Sequence, residues 1–221
     1  PVVVILGGSR LTDKTLFIDE NLERGNRILM GGVLANDFLK AKGLEVGQST
    51  VDSEIVGLAQ QILIDSQGMI DLPKDVVQAE AITAQAKHQT VPANRISPTS
   101  YVVDIGPATI QHYSQVLSSA KTVIWNGTLG AVEIAPFSAG TDAICRKIAS
   151  LADTVTIAGG GSTLNTIHRL GLEGKFTHIS TGGAPFLLAL ANKPLPGLMA
   201  LQDKDDSNPV SVNSSHLENT P

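Results

Sequence analysis

The stretch that most constrains this chain is Thr154–Thr163, TVTIAGGGST, where apolar and β-branched residues run straight into three glycines. A helix-capable segment, LNTIHRL, follows at once. Strand, glycine turn and helix in that order build an anion site. Glycines let a ligand approach the backbone, and the helix N-terminus presents unpaired N–H groups with a partial positive charge. The same turn also joins a strand to a helix with no ligand present. Repetition tilts the reading: Gly7-Gly8 follows VVVIL, Gly31-Gly32 follows RILM, and Gly182-Gly183 follows HIST. Four glycine clusters at four strand ends predict one ligand groove along the carboxyl edge of a single sheet.

Val2–Leu6, Arg27–Met30, Met69–Leu72, Thr122–Trp125, Thr154–Ala158 and Thr177–Ser180 read as six short apolar strands. Helical patterns stand between them. The first runs past Leu16, Ile18 and Leu22 to a C-terminal Gly25, and VLANDFLKAKG is the second. Asp52-Ser53-Glu54 opens IVGLAQQILIDS, and Pro107 opens ATIQHYSQVLSSA after the turn signal Asp104-Ile105-Gly106. Thr141–Leu151, Thr163–Leu170 and Pro185–Ala191 complete the set. Such alternation predicts an α/β fold: a doubly wound, Rossmann-like, six-stranded parallel sheet with right-handed crossovers. Residues 76–103 lose periodicity and read as an irregular excursion with room for short antiparallel strands; a second irregular stretch, TLGAVEIAPFSAG, holds Glu133 as its only acid. Arg10 and Lys14 follow the first glycine turn. On a helix, four apart, they would face one groove, although two basic residues equally suit a solvated face.

The expected folded unit is 1–204, with 205–221 a mobile tail lacking any core-forming pattern. The chain opens on Pro1 and reaches a strand by Val2, the start expected of a piece of something longer. A net charge of −5 argues against nonspecific nucleic-acid or anionic-membrane binding, so an anionic ligand must be held by local features. Cys145, the only cysteine, forms no intrachain disulfide and sits in a helical pattern as a small buried hydrophobe. His88 stands without a metal-ligand partner and is expected on the surface. No signal peptide and no apolar run of transmembrane length are visible, so the cytoplasm is the expected location. Neither GxGxxG nor GxxxxGK[ST] occurs, which removes the nicotinamide fingerprint and the P-loop.

In order along the chain, VILGGSRLTDK, GGVLANDFLKAKGLEVG, DLPKDVV, DIGPATI, AKTVIWNG, APFSAGT, TIAGGGST, HISTGG and LPGLMALQDK closely resemble the C-terminal, nucleotide-binding domain of phosphoglycerate kinases. The resemblance runs from Pro1 to about Lys204. It implies a sheet that binds ATP or ADP, with Mg²⁺, along its carboxyl edge. It also implies a separate N-terminal domain for the acid substrate, absent here, with hinge closure bringing the two together. A monomer is expected.

Roles carry over by position. Gly7, Gly8, Gly31 and Gly32 match the glycines around the adenosine, Asn126 the asparagine of WNG, and Glu133 the acid on the ribose. Lys14 matches a phosphate-binding lysine, with Arg10 beside it on the phosphates. Gly159, Gly160 and Gly161, leading into Ser162 and Thr163, match the loop at the transferring phosphate. Ser180, Thr181, Gly182 and Gly183 match the final loop used in closure. The departures fall on the chemistry. Where the family has Gly-Gly-Ala-Lys this chain has Gly7-Gly8-Ser9-Arg10, and Ser162 stands where the family carries its metal-binding aspartate. Thr128-Leu129-Gly130 replaces Pro-Met-Gly, Val33 replaces a third glycine, and Ala184 adds a methyl to the last loop. The resemblance therefore implies an intact fold with impaired phosphoryl transfer, or else a noncatalytic relative that keeps nucleotide binding or a regulatory role.

Overall fold

The computed structural model describes residues 1–201. Its main sheet has six strands, all pairs parallel: β1 (Val2–Leu6), β2 (Arg27–Met30), β3 (Ile70–Asp71), β7 (Thr122–Asn126), β8 (Val155–Gly159) and β9 (His178–Ser180). Their spatial order is β3-β2-β1-β7-β8-β9. The chain therefore winds outward one way from β1 and the other way from β7. Where the direction reverses, the crossover helices diverge to opposite faces and leave a crevice at the strand ends.

Both faces of the sheet are covered, which explains why its strands are continuously apolar. Val4, Leu6, Ile28 and Met30 point into one core with Ile18, Leu34 and Phe38, under α1 (Thr15–Glu23), α2 (Gly32–Ala41) and α3 (Val56–Asp65). Their neighbours Val3, Ile5 and Leu29 alternate into the other core with Trp125, Leu117 and Ile144. That face is closed by α4 (Pro107–Leu117), α5 (Ala139–Ala149) and α6 (Gly161–Arg169). Helix α7 (Ala184–Leu190) returns to the first face through Phe186 and Leu187, and a short α8 (Pro196–Met199) follows. Tyr113 is fully buried in the second core, and its hydroxyl donates to the Met30 carbonyl at 2.6 Å, so the helix face and the sheet share a satisfied polar contact.

The excursion after residue 75 is better ordered than its weak periodicity predicts. It forms an antiparallel sheet in the order β5-β4-β6, from β4 (Asp75–Ala79), β5 (His88–Pro92) and β6 (Tyr101–Ile105). Val76 packs against Leu39 of α2 with Val46 and Ile96, which fixes this small sheet to the body. Asp75 anchors it again, accepting the Ala108 and Thr109 N–H groups at the start of α4 (2.9 and 2.7 Å).

Several boundaries differ from the sequence reading. Arg10 and Lys14 do not sit on one helix: Arg10 has φ 59° and opens a 3₁₀ turn over Leu11–Asp13, with α1 starting at Thr15. Leu11 is fully buried and draws this segment inward before a helix can form. Leu16, expected on the apolar stripe, is 54% exposed. Asp52 makes a local turn through the Glu54 N–H (3.1 Å), so α3 begins at Val56 and not beside it. Asp104 and Ile105 are the last residues of β6, and the turn is left to Gly106. Cys145 is buried, and burial pushes its thiol up to about 12. His88 is exposed, edge-on to Phe137. Residues 205–221 lie outside the described residues. Among the described residues no helix is long and apolar enough to cross a membrane.

Candidate functional site

Leu6, Met30, Asn126, Gly159 and Ser180 are the final residues of five parallel strands. The loops after them open on one sheet edge, and all four glycine clusters lie there as predicted. At the centre are β1 and β7, the two strands where the winding reverses.

The loops are knitted together by their own backbone. Gly7 N–H donates to Asn126 O (2.9 Å) and Gly8 N–H to Thr128 O (2.8 Å). Gly31 N–H donates to Leu6 O and Gly32 N–H to Leu129 O, both at 3.0 Å. Gly32 has φ +63°, and a Cβ there would stand 2.6 Å from the Thr128 carbonyl, so this approach requires glycine. The buried Asn126 donates its amide to Gly159 O (2.9 Å), and Thr163 Oγ1 accepts the Gly127 N–H (2.8 Å). Gly160 turns the chain at φ +99° and donates to Ser180 O (3.3 Å), while Gly182 N–H donates to Ser180 Oγ (3.2 Å). Most glycine N–H groups are thus committed to the scaffold. The helix geometry leaves those of Gly161 and Ser162, in the first turn of α6, free to point at a ligand.

Two chambers open along this edge. The first, about 210 Å³, is lined by Arg10, Asp13, Lys14, Gly160, Ser162 and Gly183, with Gly7, Asn126 and Gly127 beneath and Ala184 and Leu187 on the far wall. The second, about 300 Å³, is lined by Val33, Ile82, Val102, Leu129, Asp104 and Glu133, over Gly32 and Thr128. Gly8, Ser9 and Ser162 line both, making one continuous groove. The remaining candidates line neither chamber. Gly31 lies under Leu129, where a Cβ would be 2.5 Å from that side chain, and Gly159 under the Phe186 ring, which leaves no room for a Cβ. Gly161 opens α6 at the edge of the groove, and Thr163, Ser180, Thr181 and Gly182 belong to the loops and helix start around it.

The two cations are not equivalent. Lys14 is buried, and its Nζ donates to Ser9 O (2.7 Å) and Arg10 O (3.4 Å), bracing the glycine turn from inside. Burial lowers the pKa of its ammonium, Asp13 opposes that, and Arg10 adds to it. Arg10 is 77% exposed in its side chain and pairs through Nε with Asp13 (3.1 Å). At the other end, Asp104 accepts the Gly140 N–H (2.7 Å) near the start of α5 and the Ile105 N–H (2.9 Å). Burial raises its carboxyl to about 7 against those bonds, with a smaller contribution from Asp142.

Sequence reading alone did not single out Asp13, Ile82, Val102 and Asp104 as groove residues. Asp13 had a signal, its place in SRLTDK beside the first glycines. Ile82 and Val102 had none, because they reach the groove only through the folding of the small antiparallel sheet.

A family model described as phosphoglycerate kinase matches residues 1–193. Phosphoglycerate kinases of Chloroflexus aggregans and Enterococcus faecalis are 42% and 40% identical to this chain, covering 93% and 92% of it but 52% and 51% of themselves. The solved phosphoglycerate kinase from Coxiella burnetii has a TM-score of 0.84 at 32% identity, covering 91% of this chain and 53% of that one. The Pyrococcus horikoshii structure gives 0.78 at 28% identity, covering 91% and 52%. The chain spans about half the length of the relatives it matches. A family model over residues 1–193 and relatives about 40% identical across nearly its whole length show that the chain belongs to the phosphoglycerate kinase family.

Proposed function

We propose that this chain is the nucleotide-holding half of a phosphoglycerate kinase, with ATP or ADP lying along the carboxyl edge of its main sheet. The observation that carries this reading is the groove itself: a cationic chamber continuous with an apolar one through Gly8, Ser9 and Ser162. Those two ends complement the two ends of an adenine nucleotide. In this reading Arg10 and Lys14 hold the phosphates, and the Gly161 and Ser162 N–H groups face the phosphoryl group that moves. Gly183 and Ala184 close over that end. Val33, Ile82 and Leu129 cover the base, and Glu133 accepts a ribose hydroxyl. Phosphoryl transfer depends on such positioning and on positive charge aimed at the phosphates.

The family reaction, in glycolysis, moves a phosphoryl group between an acyl phosphate, 1,3-bisphosphoglycerate, and ADP. Its acid substrate would be held by the other half of the enzyme. The 221-residue chain by itself should therefore bind ADP and show no turnover in a coupled assay. Fusing it to the N-terminal half of the Chloroflexus aggregans kinase tests the chemistry directly, and turnover in the fusion supports the kinase reading. One observation favours a second reading, a noncatalytic nucleotide-binding relative. Lys14 is tied to two backbone carbonyls and Arg10 to Asp13, so neither cation stands free in the chamber. ADP binding without turnover in the fusion supports that reading.

A further inference from the structure

Mg²⁺ at a nucleotide is held by one or two protein carboxylates together with phosphate oxygens and water. The phosphate-side chamber has a single carboxylate among its lining residues, Asp13, and Arg10 Nε already stands 3.1 Å from it. A dication at Asp13 would displace that guanidinium and sit close to the Lys14 ammonium. At the junction of the chambers the donors are the Ser9 and Ser162 hydroxyls and the N–H groups opening α6. Hydroxyls are poor ligands for a hard dication, and N–H dipoles at a helix N-terminus repel it. No three His, Cys, Asp or Glu side chains are grouped to hold a metal among the described residues. The residues present do not fit a protein-held Mg²⁺.

We infer that this groove takes its nucleotide as the free polyphosphate anion, with Arg10, Lys14 and the first turn of α6 supplying the positive charge that Mg²⁺ supplies elsewhere. The inference rests on the nucleotide reading of the groove. Its physical content is a competition: Mg²⁺ neutralises the phosphates before they arrive and so weakens their attraction to a cationic wall. Unless a carboxylate repays that loss by ligating the ion, the complex binds no better than the bare nucleotide. Ser162 is the place where a carboxylate would matter most, because it lines both chambers at the mouth of α6.

The test is calorimetric titration of ADP into the full 221-residue chain at constant ionic strength, once with Mg²⁺ and once with a chelator. The native chain should bind ADP at least as tightly in chelator as in Mg²⁺. Ser162→Asp should bind more weakly in chelator and regain about tenfold when Mg²⁺ is added. A gain of about fivefold or more with Mg²⁺ in the native chain overturns the inference and leaves the nucleotide reading standing. If Asp13→Asn abolishes such a gain, Asp13 is the ligand that defeats it. Equal Mg²⁺ effects in the native chain and Ser162→Asp place the phosphates away from α6 and overturn it as well. No ADP binding under either condition, in a chain shown folded by circular dichroism, overturns the nucleotide reading and the inference together.

Discussion

Thr163 Oγ1 accepts the N–H of Gly127 at 2.8 Å, so a side chain in the first turn of α6 holds the loop that follows β7. Both residues are buried, and the bond ties two strand ends into one rigid floor beneath the groove. Thr163→Val keeps the shape but leaves the Gly127 N–H without a partner, which should cost about 1–3 kcal/mol. Thr163→Ser keeps the acceptor and should cost less. Urea unfolding of the two variants checks this, and equal losses would show that the hydroxyl does not matter.

Lys14 and Arg10 should separate in stability though both face the same chamber. Lys14→Met removes a charged donor from the Ser9 and Arg10 carbonyls and should destabilise the chain by roughly 1.5–3 kcal/mol. Arg10→Met removes an exposed pair with Asp13 and should cost about 1 kcal/mol or less. Thermal unfolding measures the difference. A larger loss for Arg10→Met would mean that the glycine turn is not braced by Lys14.

Ile82 is 50% exposed yet lines the apolar chamber. A base lying against it would bury that surface, so Ile82→Ser should weaken ADP binding by about 1 kcal/mol, roughly fivefold. Binding of inorganic pyrophosphate, which has no base, should not change. Equal effects on both ligands would move the base out of this chamber.

Asp104 should make stability fall as pH rises. Chiefly through burial its folded pKa is about 7, well above the ordinary carboxyl value. The folded chain therefore holds this proton more tightly than the unfolded chain does. The contribution is fully present below about 4 and is lost by the time the pH has passed the folded value. Asp104→Asn, neutral at every pH, should gain stability relative to the native chain between pH 4 and pH 8, by roughly 1–4 kcal/mol. Parallel pH profiles for the two proteins would show that Asp104 does not titrate in this range.

Much of the architecture was legible because its signals are local. An apolar run such as Val2–Leu6 ending in Gly7-Gly8 specifies a buried strand and a tight turn with little help from distant residues. Parallel strands then bring their glycine turns to one edge, so a single groove followed from sequence order alone. The antiparallel sheet of β4, β5 and β6 was legible only as room for short antiparallel strands, without their pairing. Its strands are short and polar on their exposed sides, and they are fixed by contacts such as Val76 on Leu39 that no local pattern reveals.

The site divides along the same line. Sequence by itself determined which residue types stand at the strand ends: the glycines, Arg10, Lys14, Asn126 and Ser162. Only the tertiary structure decided what each does there. Arg10 is itself left-handed, and a 3₁₀ turn sets it apart from Lys14 because Leu11 must be buried, which sends one cation outward and the other into the backbone. Asn126 and Thr163 became scaffold because their side chains pair with backbone groups of neighbouring loops, the Gly159 carbonyl and the Gly127 N–H. Ile82, far away in sequence, came to line the groove because the small sheet folds back on the body. Those outcomes depend on burial and on pairing between distant groups, which no window along the chain contains.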